Sequence, residues 1–221
     1  MTLSVVTGAN RGIGLALTAA LKRRGDSVVA ACRASSPALD ALGVEVVAGV
    51  EVTEERGLEK LVHAIGERKI DLLINNAGIL LWDDKIGSVN ASGVRKQFEV
   101  NALAPLLLTQ ALLPALKRGA KIALITSRMG SIGDNGSGRG YGYRMSKAAL
   151  NAAGKSMAED LKADGIWVGI LHPGMVKTEM VAGHGQVEPE DAARGLLARV
   201  DELTADNTGG FWHQNGERLP W

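Results

Sequence analysis

The sequence is poor in residues that hold metals or crosslink chains. It has a single cysteine, Cys32, which excludes an internal disulfide and a thiolate metal cluster. Its four histidines, at His63, His172, His184 and His213, lie too far apart for a zinc motif. The net charge is only +1, and the basic residues are scattered. We therefore expect no metal, no nucleic-acid partner and no polybasic membrane patch.

Long apolar runs are also missing from the sequence. No apolar run reaches the roughly 18 residues that indicate a membrane-spanning helix. The chain passes from Met1 directly into the strand-like run Leu3–Thr7, without the charged start and apolar stretch of a secretory signal. With 221 residues, 46% of them hydrophobic, it can bury the core of one domain. These features predict a soluble cytoplasmic protein.

Short apolar segments alternate with longer helical patterns along the whole chain. The strand candidates are Leu3–Thr7, Ser27–Ala31, Val44–Ala48, Asp71–Asn75, Lys121–Thr126 and Trp167–His172. The helix candidates are Gly12–Arg24, Glu54–Arg68, Leu103–Lys117, Tyr143–Asp164 and Pro189–Asp201. Several strands are apolar without alternation, as expected when helices cover both faces of a sheet. The pattern predicts one α/β domain, 1–221, with a doubly wound parallel β-sheet of the Rossmann type.

Glycine is abundant, at 28 of 221 residues, and its first cluster follows the first strand. Glycines there permit a tight turn and a close approach of the backbone to a phosphate, while the following helix offers free N–H groups. The spacing Gly-x-x-x-Gly-x-Gly is one residue wider than the common dinucleotide fingerprint, and the turn alone could be purely structural. The candidate contacts in this turn are Gly8, Asn10, Arg11, Gly12, Ile13 and Gly14.

The residues at the tip of the second strand favour NADP(H) over NAD(H). An acidic residue there would bind the ribose 2′-hydroxyl of NAD, whereas Arg33 can accommodate the 2′-phosphate of NADP. Arg11 adds a second positive charge in the glycine turn. The alternative is that Arg33 is simply a solvated loop residue.

Tyr143 and Lys147 are four residues apart, so they share one face of a predicted helix. A phenol is a poor acid–base catalyst at neutral pH unless a nearby cation lowers its pKa, which a lysine one turn away would do. Tyr141 is a competitor, but its partner at the same spacing is Met145. Ser127 ends the fifth strand, where its hydroxyl could hold a substrate oxygen, although such a serine is usually a turn residue.

Together these motifs resemble the short-chain dehydrogenase/reductase family over essentially the whole chain. The matching motifs, in the order of the family, are Thr7-Gly8-x-x-x-Gly12-x-Gly14, Asn75-Asn76-Ala77-Gly78, Asn101, Ser127, Tyr143-x-x-x-Lys147 and Pro173-Gly174-x-x-x-Thr178. Within the family, the stretch around Gly133–Lys147 and the ending Leu219-Pro220-Trp221 look like the compact C-factor and Sniffer-type carbonyl reductases.

The resemblance implies an NADPH-dependent reduction of a ketone or aldehyde to an alcohol, or the reverse. It implies that Tyr143 exchanges a proton with the substrate oxygen, that Ser127 hydrogen-bonds this oxygen, and that Asn101 holds a water. Lys147 would lower the pKa of Tyr143 and bind the nicotinamide ribose. Further contacts to the cofactor are implied for Asn75, Ala77, Gly78, Pro173, Gly174, Val176 and Thr178. The alternative function, suggested by the C-factor resemblance, is an NADP-binding signalling or scaffold protein with little turnover.

Three departures from the family pattern carry expectations of their own. Glu51 and Val52 stand where an aspartate usually lies near the adenine, and Glu51 can accept the same hydrogen bond. The wide spacing from Ser127 to Tyr143 leaves Ser131 as an alternative. The substrate loop, 179–188, is short and predicts an open site.

An apolar substrate pocket is predicted from Leu80, Trp82, Met129, Tyr141, Met175 and Met180. The resemblance also implies a homo-oligomer formed through the helices Leu103–Lys117 and Tyr143–Asp164. The apolar residues available for it are Leu106, Leu112, Ala148, Ala152 and Met157, although burial against the sheet explains some of them equally well.

Overall fold

The computed structural model describes residues 2–82 and 85–221. Within them the strands are β1 (Leu3–Thr7), β2 (Ser27–Cys32), β3 (Glu45–Ala48), β4 (Ile70–Asn75), β5 (Leu116–Ile125), β6 (Trp167–His172) and β7 (Phe211–His213). The helices are α1 (Gly12–Arg24), α2 (Pro37–Asp40), α3 (Glu55–Ile65), α4 (Ala91–Phe98), α5 (Ala104–Leu112), α6 (Tyr141–Leu161) and α7 (Pro189–Asp201). A π-helical turn, Glu99–Leu103, joins α4 to α5.

The strands form one parallel sheet in the order β3-β2-β1-β4-β5-β6-β7. The chain moves outward from β1 to β3, crosses back to β4, and then continues to the other edge. Strand order therefore reverses between β1 and β4, which is where ligands bind in sheets of this kind. The doubly wound parallel sheet predicted from the sequence is confirmed.

Helices cover both faces of the sheet and bury two apolar layers. Leu17 of α1 and Leu196 of α7 pack with strand residues such as Ile74 on one face. Leu108 of α5 and Leu150 of α6 pack on the opposite face. This explains why the strand segments read as continuous apolar runs, since their alternate side chains enter different apolar layers.

The predicted helix Leu103–Lys117 is wrong at both ends. Helical structure begins at Ala91, and α5 ends at Leu112, followed by the 3₁₀ turn Leu113–Ala115. Pro114 has no N–H to donate within a helix, so the chain leaves the α-helix there. Strand β5 then begins at Leu116 instead of the predicted Lys121.

The helical run Ala91–Ala115 is long and apolar enough, by length and composition alone, to span a membrane. The core helix of a soluble protein passes the same test, and part of this run is core, since Leu108 and Leu112 are each 1% exposed. Leu112 and Met157 lie inside the apolar layer beneath α5 and α6, so burial against the sheet accounts for these two of the residues considered for an oligomer interface. Leu106 and Ala152 remain at the surface.

Candidate active site

A cleft of about 1750 Å³ lies beyond the carboxyl ends of the strands, across the reversal between β1 and β4. It brings together residues from both ends of the chain. The predicted cofactor contacts in its wall are Gly8, Asn10, Arg11, Gly12, Ile13, Gly14, Arg33, Glu51, Val52, Ala77, Gly78, Tyr143, Lys147, Pro173, Gly174, Val176 and Thr178. Ser127 also lines the cleft. Two of the predicted site residues, Asn75 and Asn101, lie behind this wall.

The conformation of the turn after β1 depends on its glycines. Gly8 and Gly12 have φ angles of +64° and +53°, which favour glycine. A Cβ on Gly14 would collide with the carbonyl oxygen of Gly8. Helix α1 begins here with no side-chain cap at Arg11 and no acidic residue in its first turn, so its N-terminal N–H groups remain open to an anion.

The two arginines expected to bind a 2′-phosphate both have acidic neighbours. Arg33 lies at the end of β2, and its Nη1 is 3.7 Å from Oε2 of Glu51. Arg11 forms an ion pair with Glu179, which belongs to the short 3₁₀ turn after Thr178. The ion pair of Arg11 with Glu179 is not evident from the sequence, because its partners are 168 positions apart.

Asn76 lines the cleft, whereas Asn75, the predicted cofactor contact, does not. The side chain of Asn75 is 3% exposed and donates to Thr109 Oγ1 of α5 at 3.2 Å. Asn76 is the residue that lines the cleft, and its Nδ2 donates to the carbonyl oxygen of Thr7 at 2.9 Å. Successive side chains at a strand end point to opposite faces, so only one of the two can reach the cleft.

Tyr143, Ser127 and Lys147 lie together in the wall of the cleft. Tyr143 makes a side-chain hydrogen bond with Ser127. Lys147 is 4% exposed, its Nζ donates to the carbonyl oxygen of Ile125 at 2.9 Å, and it lies 5.7 Å from the Tyr143 ring centroid. Ser131, the alternative to Ser127, instead donates to the carbonyl oxygen of Trp221 at 3.1 Å.

Burial controls the protonation of this pair. It raises the pKa of Tyr143 to about 12, and the hydrogen bond with Ser127 opposes the rise only in part. Burial also lowers the pKa of Lys147 to about 8. The expectation that Lys147 holds the pKa of Tyr143 below its usual value is therefore not met in this structure, because desolvation outweighs the other effects. Tyr143 is kept as the neutral phenol, which is the form that donates a proton.

Asn101 lies in the π-helical turn Glu99–Leu103 and is fully buried. Its Oδ1 accepts from the N–H of Ile79 at 2.8 Å, and its Nδ2 donates to the Ile79 carbonyl oxygen at 2.9 Å and to Ser146 Oγ at 3.0 Å. These bonds join the loop after β4 to helix α6. In this structure Asn101 therefore positions the segment that carries Gly78 beside Lys147, and π turns often occur at such sites.

His172 lines the cleft at the end of β6, and the sequence analysis did not select it. Its ring meets that of His213 edge-on, with centroids 5.0 Å apart. Burial lowers the pKa of His172 to about 3, and the charges of His213, Arg128 and Lys147 act in the same direction. The imidazole is therefore neutral throughout the physiological range. The only sequence signal was its position, directly before Pro173.

The substrate side of the cleft is open and largely apolar. Five of the six predicted pocket residues line it, namely Leu80, Trp82, Met129, Met175 and Met180, whereas Tyr141 does not. The short loop closes on itself, since Lys177 N–H donates to the carbonyl oxygen of Val187 at 2.9 Å. Met175 and Trp82 remain 51% and 64% exposed at the mouth.

Comparisons with known proteins agree with this arrangement. The family model for short chain dehydrogenase matches residues 2–188. The 1-hydroxy-2-glutathionyl-2-methyl-3-butene dehydrogenase of Rhodococcus sp. (strain AD45) is 40% identical over 100% of both chains. The C-signal protein of Myxococcus xanthus is 43% identical over 69% of this chain and 93% of its own length. The NADPH-bound carbonyl reductase from chicken fatty liver has a TM-score of 0.90 and 31% identity, covering 100% of this chain and 98% of that one.

Proposed function

The chain belongs to the short-chain dehydrogenase family, and from that premise we propose that it is an NADPH-dependent carbonyl reductase. Its substrate is a ketone or aldehyde that it reduces to an alcohol, and it can catalyse the reverse. The observation that carries the proposal is the group of Tyr143, Ser127 and Lys147 in the same cleft as the glycine turn that follows β1. A soluble cytoplasmic enzyme is part of the proposal.

The residues of the cleft fit a nicotinamide dinucleotide. The glycine turn and the open N-terminus of α1 suit its pyrophosphate, and Arg33 with Arg11 suits a 2′-phosphate. Lys147 would hold the ribose next to the nicotinamide. The segment from Pro173 to Thr178 also lines the cleft and would seat the nicotinamide ring. When bound, NADPH supplies the hydride.

Tyr143 is the proton donor in this proposal. Its raised pKa keeps the phenol protonated at neutral pH, and Ser127 is placed to hydrogen-bond the same substrate oxygen. Negative charge develops on that oxygen as the carbonyl is reduced, so a fixed donor there stabilises the transition state. Lys147, with a pKa of about 8, exists in both charged and neutral forms near neutral pH and can pass a proton toward the pair.

The open apolar mouth supports a bulky substrate. The Rhodococcus relative is named for an alcohol that carries a glutathionyl group, and the chicken protein is named a carbonyl reductase. We propose that this chain accepts carbonyl compounds with an apolar group next to the reacting carbon, and that larger substituents extend past Trp82 and Met175.

Replacement of Tyr143 by phenylalanine tests the proposed chemistry. The variant should lose about 10²- to 10⁴-fold in kcat for ketone reduction, as expected when a general acid is removed. Its Kd for NADPH should stay near that of the parent protein. Tyr141→Phe is the matched control, because Tyr141 does not line the cleft, and it should keep full turnover. A Tyr143→Phe protein that reduces ketones at the parent rate would contradict the mechanism.

A panel of carbonyl compounds with both NADPH and NADH tests the activity itself. Oxidation of NADPH by at least one ketone or aldehyde, at a higher kcat/KM than with NADH, is the expected result. Tight NADPH binding without turnover across the whole panel would instead favour the signalling or scaffold function.

A further inference from the structure

The ion pair between Arg11 and Glu179 lies at the mouth of the cofactor cleft. Arg11 is the residue before helix α1, and Glu179 directly follows Thr178, one of the residues proposed to hold the nicotinamide end. The two segments are adjacent, since a Cβ on Gly12 would lie 3.2 Å from Thr178 Cγ2. Both partners line the cleft, and their side chains are 62% and 74% exposed. The pair is thus accessible to an incoming anion.

A 2′-phosphate would have to compete with Glu179 for Arg11. Such a phosphate carries close to two negative charges, and Arg11 and Arg33 are the cations that the proposed function assigns to it. The other cation, Arg33, already has Glu51 at 3.7 Å. The two acids offset the two arginines in formal charge, so neither arginine meets the phosphate as an unopposed cation.

We propose that Glu179 is a specificity-determining residue whose carboxylate weakens the preference of this protein for NADP(H) over NAD(H). This inference rests on the proposed function. Glu179 belongs to the three-residue turn Glu179–Val181, its side chain is 74% exposed, and its ion-pair partner is Arg11. Glu51 is held more firmly, because Thr53 Oγ1 donates to its Oε1 at 3.3 Å and Gly57 packs directly against its backbone. Glu179 is therefore the acid that decides how much of Arg11 is available.

The test compares cofactor affinities of Glu179→Gln and the parent protein, measured from the fluorescence change of bound NADPH and NADH. The variant should bind NADPH about two- to fivefold more tightly, the range expected for one exposed ion pair. Its Kd for NADH should change by a smaller factor. The gain in NADPH affinity should disappear at about 1 M salt, where surface charges are screened within ~3 Å.

Two control variants separate the role of Glu179 from a general loss of charge. Glu188→Gln removes an acid that pairs with Lys177 in the same segment but does not line the cleft, so it should leave the affinity ratio unchanged. Glu179→Asp keeps the charge and should stay close to the parent ratio. In an Arg11→Ala background, Glu179→Gln should have no selective effect, since the two residues act as a pair.

The outcomes distinguish this inference from the proposed function. If the parent protein does not bind NADPH, the proposed function fails. If the parent binds NADPH, the role of Glu179 is refuted when Glu179→Gln shifts both cofactors by the same factor, or when Glu188→Gln gives the same selective gain. Thermal midpoints of all variants, which should match the parent within a few degrees, confirm that each protein is folded.

Discussion

Replacing Lys147 by methionine should raise the thermal stability of the cofactor-free protein while it removes turnover. Lys147 is 4% exposed, and among the described residues no acidic side chain forms an ion pair with it. Burial lowers its pKa from 10.5 to about 8. At ~1.4 kcal/mol per pKa unit, this difference corresponds to about 3 kcal/mol of stability lost when the charged form is buried.

The pH dependence follows from the direction of that change. A lysine whose pKa is lower in the folded state than in the unfolded state reduces the free energy of unfolding at every pH at which the unfolded lysine is protonated. The cost is therefore complete below about pH 8 and disappears as the pH rises to 10.5. Methionine removes the charge but also the hydrogen bond to Ile125, which is worth ~1 kcal/mol. The expected net gain is about 2 kcal/mol at pH 7, and the variant becomes slightly less stable than the parent near pH 10.5.

The assay is thermal unfolding at pH 7 and near pH 10.5, followed by circular dichroism. For a chain of this length, about 2 kcal/mol corresponds to a rise of about 4–8 °C in Tm. Lys155→Met on the same helix is the control, because Lys155 is exposed and paired with Glu159, and its Tm should change little at either pH. A Lys147→Met protein that is less stable at pH 7, or whose difference from the parent is the same at both pH values, would refute the reasoning.

Three further predictions concern the glycine turn, the π turn and the tyrosine. Gly14→Ala should abolish NADPH binding and lower Tm by several degrees, because its methyl group would collide with the Gly8 carbonyl oxygen; unchanged Kd and Tm would contradict the packing. Asn101→Ala leaves two backbone groups of the loop after β4 unpaired, which costs about 1–3 kcal/mol each, and chemical denaturation should show the loss. In a Tyr141→Phe protein, Tyr143 is the remaining tyrosine, and its absorbance should show ionisation near pH 12 when the protein is folded and near pH 10 when it is unfolded. The free energy of unfolding should therefore fall between pH 10 and pH 12. A midpoint at pH 10 in the folded protein would exclude the burial argument.

The sequence predicted the elements whose ends carry their own local signals. Helix α1 begins within the glycine turn, at Gly12, and ends before Gly25, which has a φ of +92° and donates to the Leu21 carbonyl oxygen. Helix α7 begins with Pro189, whose fixed φ suits the first helical position. Both helices have the predicted bounds, because such signals involve residues only a few positions apart.

The features that the sequence did not predict depend on contacts between distant residues. Strand β7 has only three residues and is recognisable only by its pairing with β6. Helix α4 buries Gly93 and Gln97 instead of large apolar side chains, and it packs against α6. The position of Asn75 behind the cleft and the contact of His172 with His213 likewise arise only when the strands are side by side. The choice between Ser127 and Ser131 depends on a distant contact as well, because Ser131 donates to the carbonyl oxygen of Trp221, 90 positions away.

The π-helical turn Glu99–Leu103 holds one residue more than a regular α-helical turn. Its closing bond runs from Ala104 N–H to the Glu99 carbonyl oxygen, one residue wider than an α-helical bond. Deleting one residue there would restore regular α-helix and leave α4 and α5 in nearly the same relative orientation, because the wide turn absorbs the extra residue. The same deletion inside α4 or α5 would rotate one part of the helix by about 100° relative to the other. In a library of single-residue deletions, loss of Glu99, which keeps the buried Asn101, should therefore be tolerated better than a deletion within α5.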